Sequence, residues 1–362
     1  MTERKKTRQV RIGNVTLGGG APVRIQSMTK THTHDVAATV DQIHRLAEAG
    51  CELVRVACPT EADARSVGKI KSRIKIPLIA DIHFNYRLAL IALEEGADKI
   101  RLNPGNIGEQ DRIVQVVGKA KQYRIPIRIG VNSGSLEKNI EERFGRTPEA
   151  LVESAKRHVA LLEAQDFRDI VISLKASDVM TMIASYRLAS GVFDCPLHLG
   201  VTEAGTLLRG SIYNAIGIAT LLQEGIGDTL RVSLTADPVE EVKVARMILE
   251  ALGLRQGVRV VSCPGCGRAE VDIFKLAEEV ENRAMKLKDP CTISVLGCLV
   301  NGPGEAHESD FGITGGKQKG MIYVAGKQHR TVDENQLVEE LFKEISAVKQ
   351  SAGDPKVKTK MK

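Results

Sequence analysis

Between residues 20 and 255 the chain alternates short apolar, β-branched runs with longer amphipathic stretches. The runs are VRIQSMT (23–29), LVRVACP (53–59), IPLIADIH (76–83), KIRLNPG (99–105), IPIRIGVN (125–132), IVISLKAS (170–177), PLHLGVTE (196–203) and LRVSLTAD (230–237). Segments such as TVDQIHRLAEAG and YRLALIALEEGA separate them, several ending in Gly as helix C-caps do. Strands that alternate with helices pair in parallel through crossover units. Eight such units over about 250 residues predict an α/β fold of the (β/α)8 TIM-barrel type. A doubly wound open sheet is the rival, but it seldom needs eight regular repeats. Nor does a Gly-rich dinucleotide fingerprint follow the first strand.

After LGLRQGVRVVS the pattern changes. CPGCGR leads into a helical stretch, DIFKLAEEVENRAMKL, and a strand, CTISVLG. A polar, Gly-dense loop follows, CLVNGPGEAHESDFGITGG, then a strand, GMIYVAG, and a helix, DENQLVEELFKEISAVK. The predicted organisation is a barrel over 1–255, opened by a basic segment at 1–20, and a small α+β domain over 256–348. A basic, disordered tail over 349–362 completes it.

Charge changes this picture little. The whole chain carries +6, but residues 1–11 and 349–362 each hold five basic and one acidic residue, so the body between them is slightly acidic. Solvated, disordered ends are the expectation, not a nucleic-acid face. No apolar run approaches a membrane span and the N-terminus has no apolar signal core, so the expected location is cytoplasmic. Seven cysteines, an odd number, argue against a disulfide framework and for reduced thiols or metal ligands.

Barrel active sites sit where strands end and βα loops begin. Those ends carry Arg55, Asp81, His83, Arg101, Asn103, Arg128, Asn132, Lys175, Thr202, Glu203, Ser233 and Asp237. Residues two apart on a strand share a face, so Asp81 points with His83 and Arg101 with Asn103. Arg55, Arg101, Arg128 and Lys175 at one end of four strands would be costly to bury without a counter-ion. A ligand with several negative charges, a phosphate or diphosphate, resolves this. The absence of a P-loop argues against nucleoside triphosphate hydrolysis. His32 and His34 after the first strand, with Lys175 and Asp237, suggest a metal-dependent barrel hydrolase instead. Yet the fifth strand offers Arg128 and Asn132 where such a site needs histidine, so both histidines are expected to be loop residues.

Four cysteines fall in the C-terminal part. Cys263, Cys266 and Cys298 form the spacing C-x2-C-x31-C, with Glu305 after six further residues. A zinc ribbon prefers two C-x-x-C knuckles, and a thioredoxin-type pair needs no third cysteine. Three thiolates can hold three irons of a [4Fe–4S] cluster and leave the fourth to a weaker ligand. Zinc remains the other metal, which would make the module a nucleic-acid-binding knuckle. Cys291 is the rival fourth ligand or a small buried hydrophobe, and Cys51, Cys58 and Cys195 read as barrel packing.

Taken together, SCPGCGR, GCLVNGPGEA, RIGVNSGSLE and RLNPGNIG make the chain resemble the 4-hydroxy-3-methylbut-2-enyl diphosphate synthase family, in its bacterial two-domain form, over nearly the whole length. The resemblance implies reductive ring opening and dehydration of 2-C-methyl-D-erythritol 2,4-cyclodiphosphate in isoprenoid precursor synthesis. It implies one [4Fe–4S] cluster per chain on Cys263, Cys266 and Cys298, with Glu305 on the fourth iron. It also implies a diphosphate grip from Arg55, Arg101, Arg128 and Lys175, with Asn103 and Asn132 beside it and a phosphate contact from Ser262. Asp81 and Glu203 match the barrel carboxylates, Glu203 as proton donor. The implied partners are reduced flavodoxin or ferredoxin and a second copy of the chain, the barrel of one facing the cluster domain of the other.

Overall fold

The computed structural model describes residues 2–103, 110–287, 289–298, 302–316 and 318–352. They fall into two compact units, Met1–Leu254 and Arg255–Lys362.

The first unit opens with an antiparallel hairpin of β1 (Val10–Ile12) and β2 (Val15–Leu17). Eight parallel strands follow: β3 (Arg24–Met28), β4 (Leu53–Ala57), β5 (Leu78–Asp81), β6 (Lys99–Leu102), β7 (Ile127–Asn132), β8 (Ile170–Lys175), β9 (His198–Leu199) and β10 (Thr229–Leu230). Their order, β8-β7-β6-β5-β4-β3-β10-β9, is that of a barrel laid flat, and a parallel bridge between Ile172 and Leu197 joins its two edges. The expected TIM barrel is therefore the observed fold. Local chemistry sets the helix limits. Asp35 caps the helix Val36–Ala49 at Ala38 N, and Gly50 ends it at φ +107°, a left-handed turn that glycine adopts without a Cβ clash. Thr60 and Asp63 form a reciprocal capping box on the helix Glu61–Lys71.

The expectation of a solvated basic N-terminus is overturned. Arg4 pairs with buried Asp228 at 3.3 Å, and Arg8 with Asp194 at 2.6 Å and Glu163 at 3.2 Å. Lys5 donates to the Phe193 carbonyl at 2.8 Å. The basic residues are spent on helix ends and acidic loops of the barrel, which composition alone does not reveal. Beyond them, Val10, Ile12 and Leu17 pack on Leu53, Ile79 and Val171, the inward residues at the amino-terminal ends of three barrel strands. The hairpin forms the apolar floor of the barrel.

The second unit is a five-stranded mixed sheet, ordered β11 (Val258–Ser262), β12 (Cys291–Leu296), β13 (Phe311–Gly315), β14 (Lys319–Val324) and β15 (Lys327–Asp333). The helices Ile273–Ala284 and Leu337–Ala352 cover its core of Ile293, Val295, Ile313, Ile322, Leu341 and Ile345. Strand β13 and the short helix Gly302–His307 stand where sequence suggested loop, and β15 where it assigned no element. In β13, a Cβ on Gly312 would come 2.3 Å from Ser294 Oγ and 3.2 Å from Ala306 Cβ, so the glycine is what lets that helix lie close. The last helix runs to Ala352, so the expected disordered tail does not begin at 349. Residues 353–362 lie outside the described ones.

Candidate functional site

Inside the barrel the strands bring four predicted cations together, Arg55, Arg101 and Arg128 from within β4, β6 and β7 and only Lys175 from a strand end, that of β8. Arg55, Arg101, Arg128 and Lys175 are all buried. Register explains it: Arg101 lies opposite Arg128 across β6 and β7, and paired residues of a sheet share a face. Asp81 is their anion. Its Oδ1 accepts from Arg101 Nη1 at 3.1 Å, and its Oδ2 lies 3.5 Å from Arg55 Nε. Burial alone would raise this carboxyl, but Arg55 and Arg101 hold it far below the usual carboxylate range. Asp81 is thus a fixed counter-charge that orients guanidiniums, and a poor source of protons. Arg101 also donates to the Gly130 carbonyl at 3.2 Å. A Cβ on Gly130 would lie 2.3 Å from Arg101 Nε, so this glycine makes room for the arginine.

One carboxylate does not balance four cations. Burial, then repulsion from Arg55, pushes both Arg128 and Lys175 well below their ordinary values. Arg55 is lowered by burial to about 10, with Asp81 working against the shift. A guanidinium keeps its proton in proteins, so the repulsion persists as an electrostatic cost that an anionic ligand would relieve. Arg128 Nε and Nη1 and Arg101 Nε are buried without a hydrogen-bond partner. Unused donors on buried guanidiniums are what a site built for a multiply charged oxyanion would hold.

Around this cluster stand residues that sequence reasoning passed over. Arg231 forks onto buried Glu241 at 3.2–3.3 Å, and Glu241 also accepts from Ser27 Oγ at 3.1 Å. Arg231 is close enough to depress both Arg55 and Lys175. Lys99 and His198 are buried deeper, each with an unpartnered side-chain nitrogen. Lys99 opens β6, His198 opens β9 and Arg231 directly follows β10.

The remaining barrel candidates lie at the rim. Asn103 is buried and Asn132 half-buried at the end of β7. Glu203 is exposed on the loop after β9 with φ +53°, a left-handed backbone that a non-glycine residue adopts only at some cost. Residues 104–109, the rest of RLNPGNIG, lie outside the described ones. Asp237 caps the helix Pro238–Ala251 at Val239 N and pairs with Arg45 at 2.6 Å. His34 holds Asp63 at 2.9 Å and His32 stacks on His34 in the loop after β3.

The second unit carries the thiols. Cys263 directly follows β11 and Cys298 lies two residues beyond β12, its parallel neighbour, so both stand at the same end of the sheet. Gly297 N donates to Cys263 Sγ at 3.3 Å, a bond suited to a thiolate. Cys266 is exposed in the turn after β11, its thiol lowered by hydrogen bonds from Arg268. Glu305 is exposed on the short helix Gly302–His307. Among the described residues no three His, Cys, Asp or Glu side chains converge as a metal set. The donors nevertheless fit an iron–sulfur cluster in kind: three soft thiols and one carboxylate. Ser262 is exposed at the end of β11. Cys291, at the start of β12, packs against the core of the unit.

Two family models match, the GcpE TIM-barrel domain over residues 7–246 and the GcpE protein C-terminal domain over 259–347. A protein of Caldanaerobacter subterraneus subsp. tengcongensis is 59% identical over 344 residues, covering 94% of this chain and 97% of its own. One from Geobacillus thermodenitrificans is 57% identical, with 94% and 92% covered, and one from Bacillus subtilis 55%, with 95% and 92%. All three carry the name 4-hydroxy-3-methylbut-2-en-1-yl diphosphate synthase (flavodoxin). On matches that span both of its units, the chain belongs to the GcpE family.

Proposed function

We propose that the chain catalyses the two-electron reductive ring opening and dehydration of 2-C-methyl-D-erythritol 2,4-cyclodiphosphate to 4-hydroxy-3-methylbut-2-enyl diphosphate. Reduced flavodoxin is the donor, as in the name its relatives bear. The observation that carries this reading is the buried cluster of Arg55, Arg101, Arg128 and Lys175 with Asp81 between two of them. Such a cluster needs an anion of more than one charge.

In this reading the four cations grip the diphosphate and Asp81 keeps Arg55 and Arg101 aimed at it. Asn103 and Asn132 donate at the rim, which fixes the orientation of the carbon skeleton. Glu203, exposed at its strained bend, is the proton donor to the oxygen that leaves as water. Cys263, Cys266 and Cys298, with Glu305, would hold a [4Fe–4S] cluster, which supplies electrons one at a time when bound. The working form is a homodimer. Leu208, Ile212 and Ile216, spaced four apart on the helix Leu207–Gln223, are exposed in a row that a second copy would cover.

Anaerobic purification with iron and sulfide analysis tests the assignment. About four irons per chain are expected, falling sharply in Cys298→Ser, with turnover of the cyclic diphosphate by reduced flavodoxin. Stoichiometric zinc without iron, or no turnover by iron-loaded protein, would refute it.

A further inference from the structure

Lys99 opens β6 two residues before Arg101, so strand alternation turns both side chains into the barrel. It is completely buried, and its Nζ meets no hydrogen-bond partner among the described residues. The charged groups around it are nearly all of one sign. Arg55 of β4 and Arg128 of β7 act on it directly, and His198 of β9 is near enough to feel it in turn. Lys175 of β8 adds to the same positive field through its own proximity to Arg55, Arg128 and His198. Asp81 of β5 is committed to Arg55 and Arg101. Beneath lies the apolar floor of Val10, Ile12 and Leu17, which offers no counter-charge.

An ammonium enclosed this way, with no anion, carries a desolvation cost that nothing around it offsets. Lysine can avoid that cost by releasing its proton, whereas the arginines beside it cannot. We propose that Lys99 is a neutral amine in the ligand-free barrel and takes up a proton from solvent when the diphosphate binds. The inference rests on the diphosphate reading and adds to it a coupling between ligand and proton. The negative phosphoryl oxygens reverse the sign of the local field, so the amine becomes an ammonium and no other bond is made or broken. The barrel then gains a positive charge only when a strongly anionic ligand is present. Neutral or singly charged compounds of similar shape draw in no proton and bind a less positive site.

His198 is the competing acceptor. It too is completely buried, with Nε2 unpartnered and Nδ1 3.4 Å from Thr229 Oγ1. Calorimetry separates the two. The cluster-loaded protein is titrated anaerobically, without reductant, with 2-C-methyl-D-erythritol 2,4-cyclodiphosphate, in PIPES and in Tris at one pH. These buffers differ widely in heat of ionisation, and the ligand's own acidic groups are already ionised at neutral pH. Wild-type protein is expected to show a binding enthalpy that differs between buffers by close to one proton per site. Lys99→Met is expected to show the same enthalpy in both and to bind about tenfold more weakly, one pK unit's worth of coupling.

Buffer dependence that survives in Lys99→Met, or that disappears in His198→Gln, assigns the proton elsewhere and overturns the proposal. Wild-type binding with no buffer dependence overturns this inference alone. Absence of any binding removes the diphosphate reading and this inference with it. Should Lys99→Met fail to fold, Lys99→Gln replaces it. A pH-indicator dye in unbuffered wild-type protein reads the uptake with no variant at all. No alkaline shift on adding a ligand that binds would overturn the proposal.

Discussion

Asp81 binds two buried guanidiniums at once, and its removal strands both. Asp81→Asn is expected to destabilise the protein by about 3–5 kcal/mol, the cost of breaking a buried ion pair from one side. The pH dependence has a definite sign. The folded carboxyl lies far below its unfolded value of about 3.9, so its stabilisation is fully present above about pH 4. It is lost only as pH falls below that. Denaturant melts should therefore show a constant gap between wild type and Asp81→Asn from pH 5 to 8, narrowing in stronger acid. A gap that closes near neutrality would mean Asp81 is not held ionised by the arginines. At this scale the charged strand ends were legible because charge is improbable inside a barrel unless a ligand uses it. Lys99 and Arg231 were not, because a lone charge beside an apolar run reads as solvated. Only the register that turns Lys99 inward, and the helix that carries Glu241 to Arg231, show otherwise.

The hairpin of β1 and β2 shows how an element can hide in a charged segment. Each of its strands is three residues long, and the basic residues before them, with Arg11 inside the first, outweigh VRI and VTL in any compositional reading. Packing reveals it: Val10, Ile12 and Leu17 are buried against inward residues of three barrel strands. Leu17→Ala is therefore expected to cost about 2–5 kcal/mol by equilibrium unfolding, as for a core leucine. A change near zero would return this segment to the solvated end that composition suggests. Strand β13 was missed for a related reason. FGITG reads as loop because of its glycines, yet Gly312 is there to let a helix approach the sheet. Long, periodic elements were read correctly, while short ones whose composition serves a neighbour were not.

At the scale of the molecule, each unit holds half of a chemistry. The barrel gathers cations, and the second unit carries the thiols on loops at one sheet end. The change of pattern after residue 255 was legible because the strand–helix repeat stops there. That Cys263 and Cys298 stand at one end of the sheet was legible only as spacing. The homodimer reading makes its own prediction: wild-type protein sediments as a dimer, and Ile212→Lys, which places a charge in the exposed apolar row, sediments as a monomer. A monomeric wild type at micromolar concentration would remove that reading.

The hairpin floor also has a consequence for traffic. Val10, Ile12 and Leu17 close one end of the barrel, so molecules can come and go only through the other. In the proposed reaction a product that keeps its diphosphate must leave by the door through which the next substrate arrives, and until it does the same arginines would hold it. Substrate and product therefore take turns, and throughput falls as product accumulates, however plentiful the electrons.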